Sequence, residues 1–211
     1  MVIAELRQVS LTIGDTPILR DVDLVVEEGE RLGIAGPNGV GKTTLLMVLA
    51  TLNSPTAGTG TVLGASLGST EVATVRRLIG MSAHDPALYG ELTLSENLTH
   101  VARLAGIDLA AVANVLEEVG LGAAAGRRAA ACSAGMRRRT DLARLLLTRP
   151  RLVLLDEPQA GLDADARIIV AEVSRRAVIG GGAAVMVSHD AEALKRQADR
   201  VLVMAGGTIR P

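Results

Sequence analysis

Near the N-terminus, apolar residues fall on every second position. Val9, Leu11 and Ile13 form one such set and Val22, Leu24 and Val26 another. A period of two is that of a half-buried strand. Gly14-Asp15 and Glu28-Gly29-Glu30 supply turns, so residues 1–30 are expected to form antiparallel strands. Beyond this the pattern changes to short, solid apolar runs. Leu32-Gly33-Ile34-Ala35, Leu152-Val153-Leu154-Leu155, Ala183-Ala184-Val185-Met186-Val187 and Val201-Leu202-Val203-Met204 all read as strands, and the first three as buried on both faces. Thr61-Val62-Leu63 and Ile79-Gly80-Met81-Ser82 are further strand candidates, and residues 53–60 read as a loop.

Between these runs the apolar period lengthens to that of a helix. Leu45 to Ala50, Thr70 to Leu78, Ala191 to Asp199 and a segment after Ser133 carrying Leu142, Leu145 and Leu146 are expected helices. Ile168, Ile169, Ala171 and Val173 mark a crossover helix. From Thr93 to about Gly126 the chain is helical throughout. Thr93 and Glu96 fit a capping box, Leu98, Val101, Ala102 and Ala105 share one face, and Val112, Val115, Leu116 and Val119 share the next, with stops at Gly106 and Gly120. Strands alternating with helices imply a largely parallel, doubly wound sheet. The expected organisation is one domain over residues 1–211. Its α/β core with the β subdomain covers about 1–84 and 137–211, and the inserted helical subdomain about 85–136.

Composition narrows the partners. The formal net charge is −1, from 22 Lys and Arg against 23 Asp and Glu, which argues against a nucleic-acid partner. One cysteine, Cys132, permits no internal disulfide, so a reducing compartment is expected, with Cys132 as a small buried residue. Residues 1–20 hold no apolar core flanked like a signal peptide. No run approaches the ~20 apolar residues of a membrane span. Phe and Trp are absent and Tyr89 is the single tyrosine, so the core must be aliphatic.

The chemistry concentrates at strand ends. Gly36-Pro37-Asn38-Gly39-Val40-Gly41-Lys42-Thr43-Thr44 fits G-x-x-x-x-G-K-[ST] between an apolar strand and a helix. Glycines there let successive N–H groups turn toward phosphate oxygens, and the helix start adds free N–H groups. Lys42 can reach the outer phosphates, and Thr43 can offer its hydroxyl to phosphate-bound Mg²⁺. Asp156 ends a buried strand, where it can hold Mg²⁺ directly or through water. Glu157 can orient or deprotonate an attacking water, and His189, after another strand, can bond the γ-phosphate. Arg137, Arg138 and Arg139 follow Ser133 at a helix start. They sit ~100° apart, so at least one is expected to be solvated.

These residues together resemble the ATP-binding cassette ATPases, over nearly the whole chain and in order. Gly36 to Thr44 resembles the Walker A loop, Ser133-Ala134-Gly135-Met136 the signature motif LSGGQ, and Leu152 to Glu157 the Walker B strand with its glutamate. Ala160-Gly161-Leu162-Asp163 is similar to the D-loop and His189 to the switch histidine. The resemblance implies a P-loop NTPase (RecA-like) core with ATP and Mg²⁺ as ligands. It implies an ATP-dependent head-to-tail dimer in which Ser133 and Gly135 serve the partner's γ-phosphate. It also implies a separate transmembrane permease, with the chain peripheral on the cytoplasmic side of the cell membrane. The sequence departs from the pattern in three places. His84 aligns with the Q-loop glutamine near Mg²⁺ and the attacking water. Cys132 and Met136 replace the outer residues of the signature. Ile13 aligns with the adenine-stacking aromatic, so adenine selectivity is expected to be weak.

Residues 84–98 and 132–139 resemble small exporter cassettes, nearest to the ATPase of the cytochrome c maturation haem exporter, with drug and antibiotic exporters sharing much of the pattern. A soluble cassette acting on DNA or ribosomes is disfavoured by the absence of a coiled-coil insertion or a second cassette. A degenerate, non-hydrolysing cassette is disfavoured by Lys42, Asp156, Glu157 and His189. His84 has two readings, positioning water or only lying in the subdomain hinge.

Overall fold

A computed structural model describes residues 1–83, 85–159 and 164–210. Among the described residues the chain forms two sheets with one helix between them. The antiparallel sheet contains β1 (Val2–Ile13), β2 (Thr16–Glu27), β4 (Ala57–Val62) and β5 (Ala65–Ser66), in the order β2-β1-β4-β5. The larger sheet contains β3 (Arg31–Ala35), β6 (Ile79–Ser82), β7 (Leu152–Asp156), β8 (Ala183–Ser188), β9 (Arg200–Ala205) and β10 (Thr208–Arg210). Its order is β10-β9-β3-β8-β7-β6, parallel throughout except for the β9–β10 hairpin.

Side-chain alternation in the buried strands explains the layering, because successive residues point to opposite faces. Leu152 and Leu154 of β7, with Ala183, Val185 and Val187 of β8, join the core shared with the antiparallel sheet and helix α1 (Lys42–Leu49). Val153 and Leu155, with Ala184 and Met186, join the opposite core, built with α3 (Leu94–Ala105), α4 (Ala110–Glu118), α5 (Ala134–Thr148) and α6 (Ala164–Ile179). The two short helices are α2 (Val72–Val75), continued by a 3₁₀ turn over Arg76–Leu78, and α7 (Ala191–Lys195).

Several helix faces follow the expected spacing. Val112, Val115, Leu116 and Val119 are all buried, and the Thr93–Glu96 capping box forms with both of its hydrogen bonds. Gly106 ends α3 in the left-handed conformation. Two local expectations are corrected, over residues 57–60 and at the end of α7. Residues 57–60 belong to strand β4 and not to a loop, because pairing with β1 overrides the poor strand propensity of Gly58 and Gly60. The crossover helix forms as α6, burying Ala166, Ile169, Val170, Val173 and Ala177 while Ile168 and Ala171 face solvent. Helix α7 stops at Lys195, short of the expected Asp199. Strands β5 and β10 were not anticipated.

Candidate functional site

Three parallel strands deliver the chemistry to one edge of the sheet. Ala35 at the end of β3 pairs in register with Ser188 of β8, and Asp156 of β7 pairs with Val187. The loop from Gly36 to Gly41 starts at that edge, with the Gly36 N–H donating to the Ser188 carbonyl at 3.1 Å. A Cβ on Gly36 would stand 2.6 Å from the Met204 carbonyl oxygen. Gly41 leads into α1 with φ 110, a backbone that L side chains rarely adopt. No side chain caps the start of α1, so its first N–H groups remain available to an anion. They face a cavity of about 410 Å³ lined by Asn38, Gly39, Gly41 to Thr44, Asp156, Glu157 and His189, with Ile18 on one wall.

Lys42 is buried and held by three oxygen groups. Its Nζ donates to the Gly36 carbonyl at 2.7 Å and the Pro37 carbonyl at 3.1 Å, and pairs with Glu157 Oε1 at 3.6 Å. The Thr43 hydroxyl donates to Asp156 Oδ2 at 2.7 Å. A hydroxyl and a carboxylate oxygen in contact beside a phosphate-shaped loop are hard oxygen donors suited to Mg²⁺, which takes one or two protein oxygens and completes its shell with phosphate and water. Thr43 and Asp156 therefore fit the implied metal.

Glu157 adopts a left-handed backbone, φ 46, at a site where such strain costs about 1–3 kcal/mol. That turn carries its carboxylate onto the end of β8. Oε2 accepts from the Ser188 hydroxyl at 2.7 Å, Oε1 accepts from the His189 backbone N–H at 2.9 Å, and His189 Nδ1 lies 3.0 Å from Oε2. Burial alone would push the Glu157 carboxyl up. The hydrogen bonds from Ser188 and His189 outweigh it and hold the group below its ordinary value. Glu157 is thus ionised at neutral pH, and the His189 side chain stands exposed beside it.

The structure brings Lys42, Thr43, Thr44, Asn38, Gly39, Gly41, Asp156, Glu157 and His189 to one cavity. Gly36 and Pro37 contribute carbonyls behind Lys42, and Val40 packs toward the core. Ser133 and Gly135 lie elsewhere. Ser133 is exposed and caps α5 by accepting from the Met136 N–H, and a Cβ on Gly135 would meet open space. Ile13 is exposed at the end of β1 and is not in the cavity lining, whereas Ile18 is. His84 and the segment 160–163 lie outside the described residues. Cys132 is buried as expected. Two residues went unnoticed in the sequence, Ile18 and Ser188. For Ser188 the signal was a polar residue closing an apolar run one position before His189. Of the three adjacent arginines, Arg138 is buried, and Arg137 and Arg139 are half-buried.

The sequence matches the ABC transporter family over residues 19–160. It is 33% identical over 211 residues to the Nod factor export ATP-binding protein I of Rhizobium etli, covering 98% of this chain and 66% of that protein. It is 38% identical over 211 residues to the Fe(3+) ions import ATP-binding protein FbpC 2 of Rhodococcus jostii, covering 97% and 60%. The chain thus spans about two thirds or less of the length of these curated relatives. A dimeric structure of a post-hydrolysis ATP-binding cassette bound to ADP and Pi superposes with a TM-score of 0.86 at 24% identity, covering 99% of this chain and 97% of that one. The fold is the ATP-binding cassette form of the P-loop NTPases, and the chain belongs to the ABC transporter family.

Proposed function

We propose that this chain is the ATP-hydrolysing subunit of an ABC transporter, powering transport through a separate membrane permease. The observation that carries the reading is the convergence of Lys42, the Thr43–Asp156 pair and the Glu157–Ser188–His189 cluster on one cavity at the ends of three parallel strands. Loop N–H groups and Lys42 bind the phosphates of ATP, and Thr43 and Asp156 hold Mg²⁺. When bound, the ion supplies charge neutralisation at the phosphate oxygens. Glu157 holds a water in line and takes its proton as the water oxygen bonds to the γ-phosphorus and the bond to the β-phosphate oxygen breaks, giving ADP and phosphate. His189, exposed beside Glu157, bonds the γ-phosphate.

Ser133 and Gly135 lie outside their own chain's cavity and are exposed or open. This supports a head-to-tail pairing in which they meet the partner's γ-phosphate. The dimeric cassette of the same fold supports it too. Among the described residues no helix is long and apolar enough to cross a membrane. We place the chain on the cytoplasmic face of the cell membrane, held there by the permease. Export is the proposed direction, on the likeness of residues 84–98 and 132–139 to exporter cassettes. Haem is the proposed cargo on that likeness alone, since the relatives above carry Nod factor and ferric iron in their names.

The test is recovery of the tagged chain from detergent-solubilised native membranes, with Glu157→Gln to hold the ATP-bound state. Glu157→Gln is expected to bind ATP and to hydrolyse it at least ~100-fold more slowly than wild type. Co-purification of a multi-span membrane protein supports the reading, and its absence under trapping conditions contradicts it.

A further inference from the structure

Helix α5 carries a buried polar cluster that the chemistry above does not use. Arg138 is 7% exposed. Its guanidinium donates to the Ala83 carbonyl, just beyond β6, and to the Asp156 carbonyl, at 3.0 Å, at the end of β7. One turn on, Asp141 accepts from the Ser82 hydroxyl at 2.5 Å and from Arg144 at 2.8 and 3.0 Å, and Arg144 donates to the Met81 carbonyl at 2.6 Å. Three consecutive residues, 81 to 83, are thus fastened to α5.

The arrangement is expensive. Burial pushes the Arg138 guanidinium down from its ordinary value, with Asp141 and Asp156 opposing that shift. A buried cation that ends on two backbone carbonyls is weak evidence for stability, and an apolar side chain of similar volume would pack there at lower desolvation cost. What the fork does provide is geometry. A planar guanidinium with two diverging donors fixes two acceptors relative to each other, which a lysine cannot do. One acceptor belongs to Asp156, whose carboxylate receives the Thr43 hydroxyl in the cavity. Arg138 itself lies only five residues, about 7.5 Å of helix rise, beyond the exposed Ser133 cap.

We propose that Arg138 is a positioning residue that couples the two nucleotide sites of the dimer. The inference rests on the head-to-tail reading above. Contact of Ser133 and Gly135 with the partner's nucleotide moves the start of α5. Through Arg138 that movement sets the Asp156 carbonyl, and with it the Thr43–Asp156 pair of the chain's own site. Binding at one site thereby favours assembly of the other.

The experiment is the dependence of hydrolysis on ATP concentration for wild type, Arg138→Met and Arg138→Lys. Alongside it, direct binding of a fluorescent ATP analogue is measured at protein concentrations where the chain is monomeric. Wild type is expected to be sigmoidal with a Hill coefficient approaching about 2, the number of sites. Both variants are expected to give a coefficient of about 1 while monomer affinity stays within about twofold, because Lys42 and the loop are untouched. A purely structural role would alter melting or affinity and leave the coefficient alone. If one variant fails to fold, the other decides. If both fail, Arg138 is structural and the proposal falls. A sigmoidal wild type with equally sigmoidal variants overturns the role of Arg138 alone. A hyperbolic wild type overturns the dimer reading and the coupling with it.

Discussion

Glu157 is the residue on which local strain and chemistry meet. Its left-handed backbone delivers the carboxylate to Ser188 and His189, and those donors keep it ionised despite burial. Removing one donor has a signed consequence. Ser188→Ala removes a hydrogen bond that lowers the Glu157 pKa, so that pKa rises. As the proposed base, Glu157 works only above its pKa, so the acid limb of the pH–rate profile is expected to move to higher pH. Ser188 also aims the carboxylate, and a hydrogen bond to a charged group is worth about 1.5–3 kcal/mol, so kcat at neutral pH is expected to fall about 10- to 100-fold with ATP affinity unchanged. A profile and kcat identical to wild type would show that Ser188 does not position the base. Nucleotide choice also belongs to this scale. The cavity wall offers Ile18, with no Phe, Tyr or Trp among its described lining residues, and an absent stacking partner of that kind forgoes about 1 kcal/mol of discrimination. GTP is expected to displace a fluorescent ATP analogue with an affinity within about tenfold of that of ATP. A strong preference for ATP in that competition would contradict this. The loop, Asp156, Glu157 and His189 were legible because each is a residue type set beside an apolar run. Ser188 was partly legible. Arg138 was not, since nothing in three adjacent arginines says which one turns inward beneath two carbonyls.

At the scale of elements, the solid apolar runs became the central parallel strands, and the spacing in α4 matched its buried face residue for residue. Where pairing or packing partners decide, the sequence misled. Strand β4 contains Gly58 and Gly60, and a Cβ on Gly58 would come within 2.2 Å of the Gln8 carbonyl of β1. Close approach of two backbones requires the glycine, yet the same glycine erases the strand signal. In α6 the apolar Ile168 lies on the solvent side, so apolar identity did not mark the buried stripe. The start of α3 was legible because a capping box is local. Its hydroxyl provides a further test. Thr93→Ala removes the bond accepted from the Glu96 N–H, and the urea unfolding free energy is expected to fall by about 1 kcal/mol, while Thr93→Ser retains most of it. An unchanged unfolding free energy in the alanine variant would show that tertiary packing alone fixes the start of α3.

At the scale of the molecule, two cores lie on either side of one sheet, and the nucleotide chemistry sits at that sheet's edge. The cavity collects Lys42, Thr43, Asp156, Glu157 and His189, while Ser133 and Gly135 lie outside its lining. On the proposed head-to-tail reading, a single chain holds two halves of a site that it does not close on itself. The family relationship accounts for the fold, and this separation supports the proposed pairing of two copies. The most direct measurement is sedimentation velocity of Glu157→Gln with and without ATP and Mg²⁺. The account predicts a monomer without nucleotide and a dimer with both. A species that stays monomeric at saturating ATP and Mg²⁺, or that is dimeric regardless of nucleotide, would contradict it.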